Sequence, residues 1–208
     1  MIRAYYIESK DDIIMTGPVT IRNGRPYFNG AMIPLKEVPR TRDRSTALLI
    51  DALGMRVRNM DDKAIRAKLP GSDIWYMTCI EREGDVFDGF LSNGDALLIP
   101  YHFLISDSVL TAAYELSDSC IPTLFLTKGE VLKRKGTEGL RDVLRRLSQM
   151  KYERTVVFDT DGTLTADDWK ELNYQYPQMI PYLNKDLQKL DGIDFPDIIS
   201  DWPDLRQI

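Results

Sequence analysis

Two carboxylates, two residues apart, directly follow a short apolar run in the last third of the chain. In Phe158-Asp-Thr-Asp-Gly-Thr-Leu164, Gly162 permits a sharp turn after Asp159 and Asp161, and Thr163 adds a hydroxyl. Two like charges this close repel each other, and a divalent cation between them relieves the repulsion. The segment therefore predicts a loop that does acid–base chemistry or binds Mg²⁺ through Asp159 and Asp161. The simpler interpretation is a turn in which one carboxylate caps the next helix.

Polar side chains also follow the other apolar runs of the chain, which we predict to be strands. In parallel α/β folds the ligand lies at the carboxyl ends of the strands, where loops and helix N-termini converge. Simpler roles are open for two of these residues, because Asp51 could cap a turn containing Gly54 and His102 could be a hydrogen-bonded loop residue. The predicted catalytic groups are Asp51, Asp159, Asp161, His102 and Lys128, and the predicted substrate-binding hydroxyls are those of Thr78, Thr127 and Thr163.

The elements that must position these residues change in character at about Arg44. Before it, Asn23-Gly24 and Asn29-Gly30 indicate hairpins, because both residue types tolerate positive φ. After it, wholly apolar runs alternate with helical patterns, which requires parallel strands buried on both faces. We predict one domain over residues 1–208, with a β-hairpin region at 1–44 and βα units over 45–208. The predicted core strands are 47–53, 74–79, 96–101, 123–127 and 155–158.

Composition narrows the possible partners. A formal charge of -5 argues against nucleic acid, since binding a phosphate backbone needs a clustered excess of Lys and Arg. The densest basic run, from Lys133 to Arg146, is interpreted as the solvated face of a helix. No apolar run approaches the roughly 20 residues that span a bilayer, and no signal-peptide pattern is present. We expect a cytoplasmic protein that binds a small-molecule metabolite and has no nucleic-acid or membrane partner. Whether it forms a homo-oligomer is left open.

Five short segments between about residues 46 and 170 follow one another in an order known from one enzyme family. They are Asp51, Ile80-Glu-Arg-Glu-Gly-Asp-Val86, Asn93-Gly-Asp-Ala-Leu-Leu-Ile99, Leu126-Thr-Lys-Gly-Glu-Val131 and Thr160-Asp-Gly-Thr-Leu164. This order resembles that of the ProFAR isomerase of histidine biosynthesis and its cyclase partner, which are TIM barrels. The resemblance implies a divergent or incomplete (β/α)8 TIM-type barrel, with the N-terminal hairpins in place of the usual start. An open, doubly wound parallel sheet is the alternative.

The departures from that family imply that its reaction is lost. The family holds phosphates with glycine-rich loops at helix N-termini, whereas this chain has Thr78-Cys79, Pro100-Tyr101 and Ser200-Asp201 at those places. Leu126 stands where the fifth-strand catalytic Asp belongs, and it cannot transfer a proton. The first strand has no clear equivalent, the chain lacks the length for a normal eighth unit, and the run 196–200 resembles a relic of the seventh. We predict no turnover of the ProFAR substrate.

Three functional hypotheses remain open, and the sequence does not decide whether the protein is an enzyme. The first is a ProFAR-isomerase-like barrel that acts on or binds a small polar metabolite, phosphorylated or not. The second is a non-catalytic scaffold or regulatory subunit that kept the barrel and lost the site. The third is a Mg²⁺-dependent hydrolase, because the Asp-x-Asp-Gly-Thr motif resembles the first motif of haloacid-dehalogenase-type phosphatases. That resemblance implies Asp159 as nucleophile and Asp161 as general acid, but too little chain follows to supply the rest of such a site.

Overall fold

The chain folds into a barrel of parallel strands, which a computed structural model describes for residues 1–28, 30–38, 45–92, 94–183 and 187–201. The described strands are β1 (Ile2–Lys10), β2 (Ile13–Gly17), β3 (Val19–Arg22), β4 (Arg25–Phe28), β5 (Ile33–Pro34), β6 (Ser45–Asp51), β7 (Ser72–Met77), β8 (Ala96–Pro100), β9 (Cys120–Thr127), β10 (Glu130–Leu132), β11 (Thr137–Gly139), β12 (Thr155–Phe158), β13 (Met179–Tyr182) and β14 (Ile199–Asp201). Eight of them pair side by side in the order β1, β6, β7, β8, β9, β12, β13 and β14, and every neighbouring pair is parallel. The circle closes where Ile199 of β14 pairs with Ile2 of β1.

This closed barrel with helices outside it confirms the predicted TIM-type fold and its parallel core. Because β14 returns to β1, the sheet is neither open nor short of strands. The interpretation of the run 196–200 as a relic of the seventh strand is wrong, since β13 is the seventh strand and β14 the eighth. Pro177 and Pro181 obscured β13, because proline is unusual inside a sheet. The first strand, β1, lies in the segment predicted as hairpins, and its charged end extends past the barrel to pair with β2.

Helices follow most of the barrel strands on the outside. The described α-helices are α1 (Ala52–Val57), α2 (Glu83–Phe90), α3 (Ser108–Leu116), α4 (Leu140–Gln149) and α5 (Ala166–Gln175), and the described 3-10 turns are Leu35–Glu37, Ala64–Arg66, Tyr101–Phe103 and Leu187–Leu190. In α4 the side chains of Leu140, Val143, Leu144 and Leu147 are buried, as their helical spacing predicts. Within the described ranges, no helix combines the length and apolar character that crossing a membrane requires.

The hairpin formed by β3 and β4 lies over the carboxyl end of the barrel. Side chains from all eight barrel strands form one apolar cluster in the interior, as is usual for a filled TIM barrel. Val19 and Ile21 of β3 belong to the same cluster and are 1% and 0% exposed. The turn of the hairpin, at Gly24, reaches His102 after β8 and Leu132 at the end of β10. The hairpin is therefore part of the barrel core and covers part of the face where TIM barrels bind ligands.

Candidate functional site

Asp51, at the end of β6, is fully buried and surrounded by hydrogen-bond donors. Its Oδ1 accepts from the backbone N–H of Gly54 at 2.8 Å, and its Oδ2 accepts from the backbone N–H of Asp61 at 3.0 Å and from the hydroxyl of Thr78 at 2.7 Å. Burial raises the pKa of this carboxyl above its ordinary value, against the hydrogen bonds that favour its ionised form. The structure thus brings Asp51 and Thr78 together, in an arrangement that caps α1 and fixes the loop after it.

Asp61 extends this arrangement to the first barrel strand. Its carboxylate accepts from the backbone N–H and the hydroxyl of Ser9, at 3.1 and 2.6 Å, and from the backbone N–H groups of Lys63 and Ala64. Partial burial opposes ionisation of Asp61, but these hydrogen bonds outweigh it and lower its pKa. Asp51 and Asp61 together tie the loop between α1 and β7 to β1 and β7.

Asp159, at the end of β12, is also fully buried and holds its own loop. Its Oδ1 accepts from the backbone N–H and the hydroxyl of Thr163 at 3.0 and 3.1 Å, and its Oδ2 accepts from the backbone N–H of Leu164 at 2.9 Å. Gly162 has φ +64°, and the Nζ of Lys189 donates to the carbonyls of Gly162 and Leu164. Asp161 is exposed. Both oxygens of Asp159 are therefore engaged inside the turn, while Asp161 faces solvent.

Lys128 and Thr127 lie beside this loop, in the turn between β9 and β10. Lys128 is exposed with φ +53°, and Thr127 pairs across the hairpin with Glu130. A Cβ built on the neighbouring Gly129 would lie within van der Waals distance of the Thr163 hydroxyl. Among the described residues, no group of three or more His, Cys, Asp or Glu side chains is placed to hold a metal ion. The Mg²⁺ prediction stays a prediction, with Asp159 and Asp161 as its only proposed protein ligands.

His102 lies apart from both carboxylates, in the 3-10 turn after β8. Only 7% of it is exposed, and its ring packs 4.1 Å from the ring of Phe103 and edge-on to that of Phe125 at 4.9 Å. Neither ring nitrogen forms a hydrogen bond of normal geometry with a described residue, although the Gly24 backbone lies close enough to act on the ring as a distorted hydrogen-bond partner. Burial lowers the pKa of His102 to about 4, opposed by the backbone of Gly24 and reinforced by the charges of Arg58 and Arg25. The imidazole is neutral at pH 7.

A pocket of about 360 Å³ opens beside His102 at the carboxyl end of the barrel. Among the described residues, five cationic side chains and no carboxylate line this cationic pocket. They come from four places in the chain: β4, α1, the residue after α1, and the loop between β10 and β11. The cations are Arg25, Arg56, Arg58, Lys133 and Arg134, and the other lining residues are Asn23, Tyr27, Met55, His102, Phe103 and Leu132.

Two carboxylates outside the pocket hold three of these cations in place. Glu81 lies 3.2 Å from the Arg58 guanidinium and 3.4 Å from that of Arg134. Glu138 binds Lys133 at 2.9 Å and also accepts from Arg146, and the hydrogen bond from Arg146 and the one from Lys133 lower the pKa of Glu138 to about 2, against partial burial. These two carboxylates do not line the pocket, and they partly neutralise the three cations that they contact. Their geometry keeps the cationic heads ordered.

The remaining two cations are less restrained. Neither Arg25 nor Arg56 forms an ion pair with any described carboxylate, and both are exposed. The guanidinium of Arg58 also lies over the ring of Phe103, at 5.8 Å from its centroid. The pocket therefore presents a surplus of positive charge toward its opening, an arrangement that favours an anion.

Sequence reasoning missed this cluster. Lys133 and Arg134 belonged to the run interpreted as a solvated helix face, but they precede α4 and line the pocket. Arg25 follows an Asn-Gly turn, and Arg56 and Arg58 follow the second barrel strand, so nothing in their spacing joins them. The usable signal was weaker: Arg56 and Arg58 follow the carboxyl end of a barrel strand closely, and barrel ligands bind at that end. Of the predicted site residues, His102 alone lines the cationic pocket.

The segments that carry the family resemblance follow the barrel in order. Asp51 ends the second strand, the segment 80–86 follows the third, and 160–164 follows the sixth. No protein-family model and no curated protein matches the chain. The resemblance to the ProFAR isomerase family therefore remains a prediction that rests on the sequence alone.

Proposed function

We propose that this barrel protein binds a small phosphorylated metabolite in the cationic pocket without transforming it, as a regulatory or scaffold subunit would. The observation that carries the proposal is the convergence of five cations on one pocket that no carboxylate of the described ranges lines. A guanidinium presents planar N–H groups that match two phosphate oxygens at once, and four of the five cations are arginines. A volume of about 360 Å³ suits a small ligand, at the lower end of the usual range for such sites.

The strand-end carboxylates support binding rather than catalysis. A general base needs a free oxygen within reach of the substrate, and Asp51 and Asp159 each direct both oxygens to hydrogen bonds within the protein. Neither of them lines the cationic pocket. Leu126, a buried apolar residue of β9, offers no proton-transferring group. The alternative in which the protein acts chemically on the metabolite would have to recruit other groups at the pocket.

We place this function in the cytoplasm, with no nucleic-acid or membrane partner. Both cysteines, Cys79 and Cys120, are free thiols in the core, and burial raises the pKa of each thiol, to about 12 and about 11. Such thiols are suited to a reducing compartment and are poor nucleophiles. A metabolite-binding barrel of this kind is compatible with a homo-oligomer.

Calorimetric titration with inorganic phosphate and with ribose 5-phosphate tests the proposal. We expect saturable binding of both, and Arg25→Ala or Arg56→Ala should weaken it about tenfold to a hundredfold, as the loss of one charge-assisted hydrogen bond implies. Arg66→Ala is the matched control, since Arg66 is exposed on the 3-10 turn Ala64–Arg66 and does not line the pocket. Absence of saturable binding, or equal weakening in all three variants, would refute an anion site here.

Chromatographic analysis of ribose 5-phosphate after prolonged incubation tests the second half of the proposal. We expect the sugar phosphate to be recovered unchanged. Release of inorganic phosphate that depends on Mg²⁺ would instead support the hydrolase hypothesis. Conversion to an isomer would support a catalytic barrel.

A further inference from the structure

His102 is the only histidine of the chain, and its position is unusual for a structural one. It is more than nine-tenths buried, it lines the cationic pocket, and neither ring nitrogen forms a hydrogen bond of normal geometry with a described residue, the Gly24 backbone being at best a distorted partner. Buried polar atoms nearly always have hydrogen-bond partners, because leaving one unpaired costs the desolvation of that group. A buried imidazole at the wall of a cationic pocket, without a well-formed hydrogen bond to any described residue, points to a group that enters the pocket.

The turn of the hairpin formed by β3 and β4 packs against the His102 ring and fixes its position. Gly24 has φ +69°, and a Cβ on it would lie 2.8 Å from Cδ2 of Leu132 and 3.1 Å from Nε2 of His102. Only glycine fits both the backbone angle and the space. The turn between β3 and β4 therefore rests directly on the imidazole, while Phe103 and Phe125 hold it from below. The ring has a fixed position before any ligand arrives.

We propose that His102 contacts the bound oxyanion through a ring N–H, and that binding draws a proton onto the ring. This inference rests on the proposed function, because it requires an anion in the cationic pocket. It adds a specific ligand-contacting residue and a dependence of affinity on pH. It also selects the ligand class: a dianionic oxyanion, such as a phosphomonoester, satisfies both the surplus cations and the protonated ring.

The charges around His102 determine the direction of this coupling. The hairpin contributes Arg25, α1 and the residue after it contribute Arg56 and Arg58, and the loop after β10 contributes Lys133 and Arg134. In the part of the chain that the structure describes, no carboxylate lines the pocket. In the free protein, burial and the charges of Arg58 and Arg25 disfavour a charged ring, against the backbone of Gly24, and lower its pKa to about 4. A bound dianion reverses the local field and favours the imidazolium.

The sign of the pH dependence follows from linkage. If the bound state has the higher pKa, the bound protein holds more protons than the free protein at pH values between the two midpoints. Affinity must then increase as the pH falls toward the free midpoint, by up to about tenfold for each pH unit. Above the bound midpoint the ring is neutral in both states, and the affinity no longer depends on its titration.

Sulfate is the appropriate probe, because it remains a dianion throughout the range in which histidine titrates and contributes no protons of its own. A single histidine gives a single set of imidazole resonances, so an NMR titration reports on His102 without assignment. We expect the midpoint to rise by about 1 to 3 pH units in saturating sulfate. Calorimetry between about pH 5 and pH 8 should show affinity increasing as the pH falls, with proton uptake that varies with buffer ionisation enthalpy.

The controls separate this inference from the proposed function. His102→Gln should remove the pH dependence of sulfate affinity, whereas Arg56→Ala should lower the affinity for sulfate. The NMR titration of the His102 ring is carried out on the wild-type protein and needs no substitution. If sulfate binds but the His102 midpoint stays at its free value, the role of His102 is refuted and the anion site stands. If sulfate does not bind to the wild-type protein at any pH in this range, both are refuted.

Discussion

At the scale of single residues, the two strand-end carboxylates have structural roles that resemble each other closely. Asp51 and Asp159 are each fully buried, and each accepts three hydrogen bonds. All three to Asp159 and two of those to Asp51 come from the segment after its own strand, and the third to Asp51 comes from Thr78 after β7. The residue types at these positions predicted a catalytic role, since carboxylates at the strand ends of barrels are common catalytic groups. The same residue types also make the strongest turns, because a carboxylate accepts several N–H groups at once. The sequence alone could not choose between the two, since the choice depends on where the donors of Thr163 and Leu164 point.

The role of Asp159 can be tested by Asp159→Asn. The amide keeps one acceptor oxygen for Thr163 but turns a donor toward the N–H of Leu164, which leaves that N–H unpaired. We expect the free energy of unfolding in urea to fall by about 1 to 3 kcal/mol. Asp161→Asn is the matched control, because Asp161 is exposed, and it should change stability by less than about 0.5 kcal/mol.

Titration of the same two variants with Mg²⁺ distinguishes a purely structural turn at Asp159 from a metal-binding site. A turn predicts no difference in Mg²⁺ binding between either variant and the wild type. Wild-type binding that Asp159→Asn abolishes without loss of stability would show that Asp159 is a metal ligand, and the hydrolase hypothesis would then deserve preference over the binding function.

At the scale of elements, the hairpin formed by β3 and β4 decides what kind of site the barrel can have. Its turn was predictable, because Asn23-Gly24 supplies two residues that tolerate positive φ, and both have it. Its docking was not predictable, since Val19 and Ile21 alternate with polar residues as in any half-buried hairpin. Which surface covers their apolar face is a tertiary property. The hairpin covers part of the carboxyl end of the barrel, and the cationic pocket lies beside its turn, next to Arg25 and His102.

Ile21→Ala tests whether the hairpin is part of the core. Ile21 is 0% exposed among the interior side chains, so its truncation should lower the free energy of unfolding by about 2 to 5 kcal/mol. The neighbouring Arg22 is exposed, and Arg22→Ala should cost less than about 0.5 kcal/mol. Equal small effects in urea denaturation would mean that the hairpin only rests on the barrel and could move away from it.

At the scale of the whole molecule, the repeating pattern was the most predictable feature and the charge distribution the least. Wholly apolar runs alternating with amphipathic helices require a parallel α/β core, and the described strands β6, β7, β8, β9 and β12 agree with the predicted ones. The cationic pocket has no such pattern, because its five cations come from three stretches that lie far apart in the sequence: Arg25, Arg56 with Arg58, and Lys133 with Arg134. An acidic protein overall, with a formal charge of -5, can therefore carry a local excess of positive charge that composition conceals.

Closure of the barrel gives the last prediction. β14 is a short strand, and Ile199, which is 0% exposed, joins the interior cluster while its backbone pairs with Ile2. A closed barrel has no free edge, so a defect at the closing strand affects both neighbours at once. We expect Ile199→Ala to lower the free energy of unfolding by about 2 to 5 kcal/mol. Circular dichroism and tryptophan fluorescence should shift together in one transition, because the buried Trp169 reports on the same cooperative unit.

The exposed Ile13 of β2 provides the matched control, since Ile13→Ala removes the same atoms from a strand outside the barrel and should cost far less. If Ile199→Ala has an equally small effect, or if the two spectroscopic transitions separate, β14 is only loosely attached and the barrel behaves as an open sheet. A single shared transition means instead that the cationic pocket is built on a scaffold that unfolds only as a whole. Its arginines and His102 would then keep their positions without a ligand, so that little of the binding free energy is spent on ordering them.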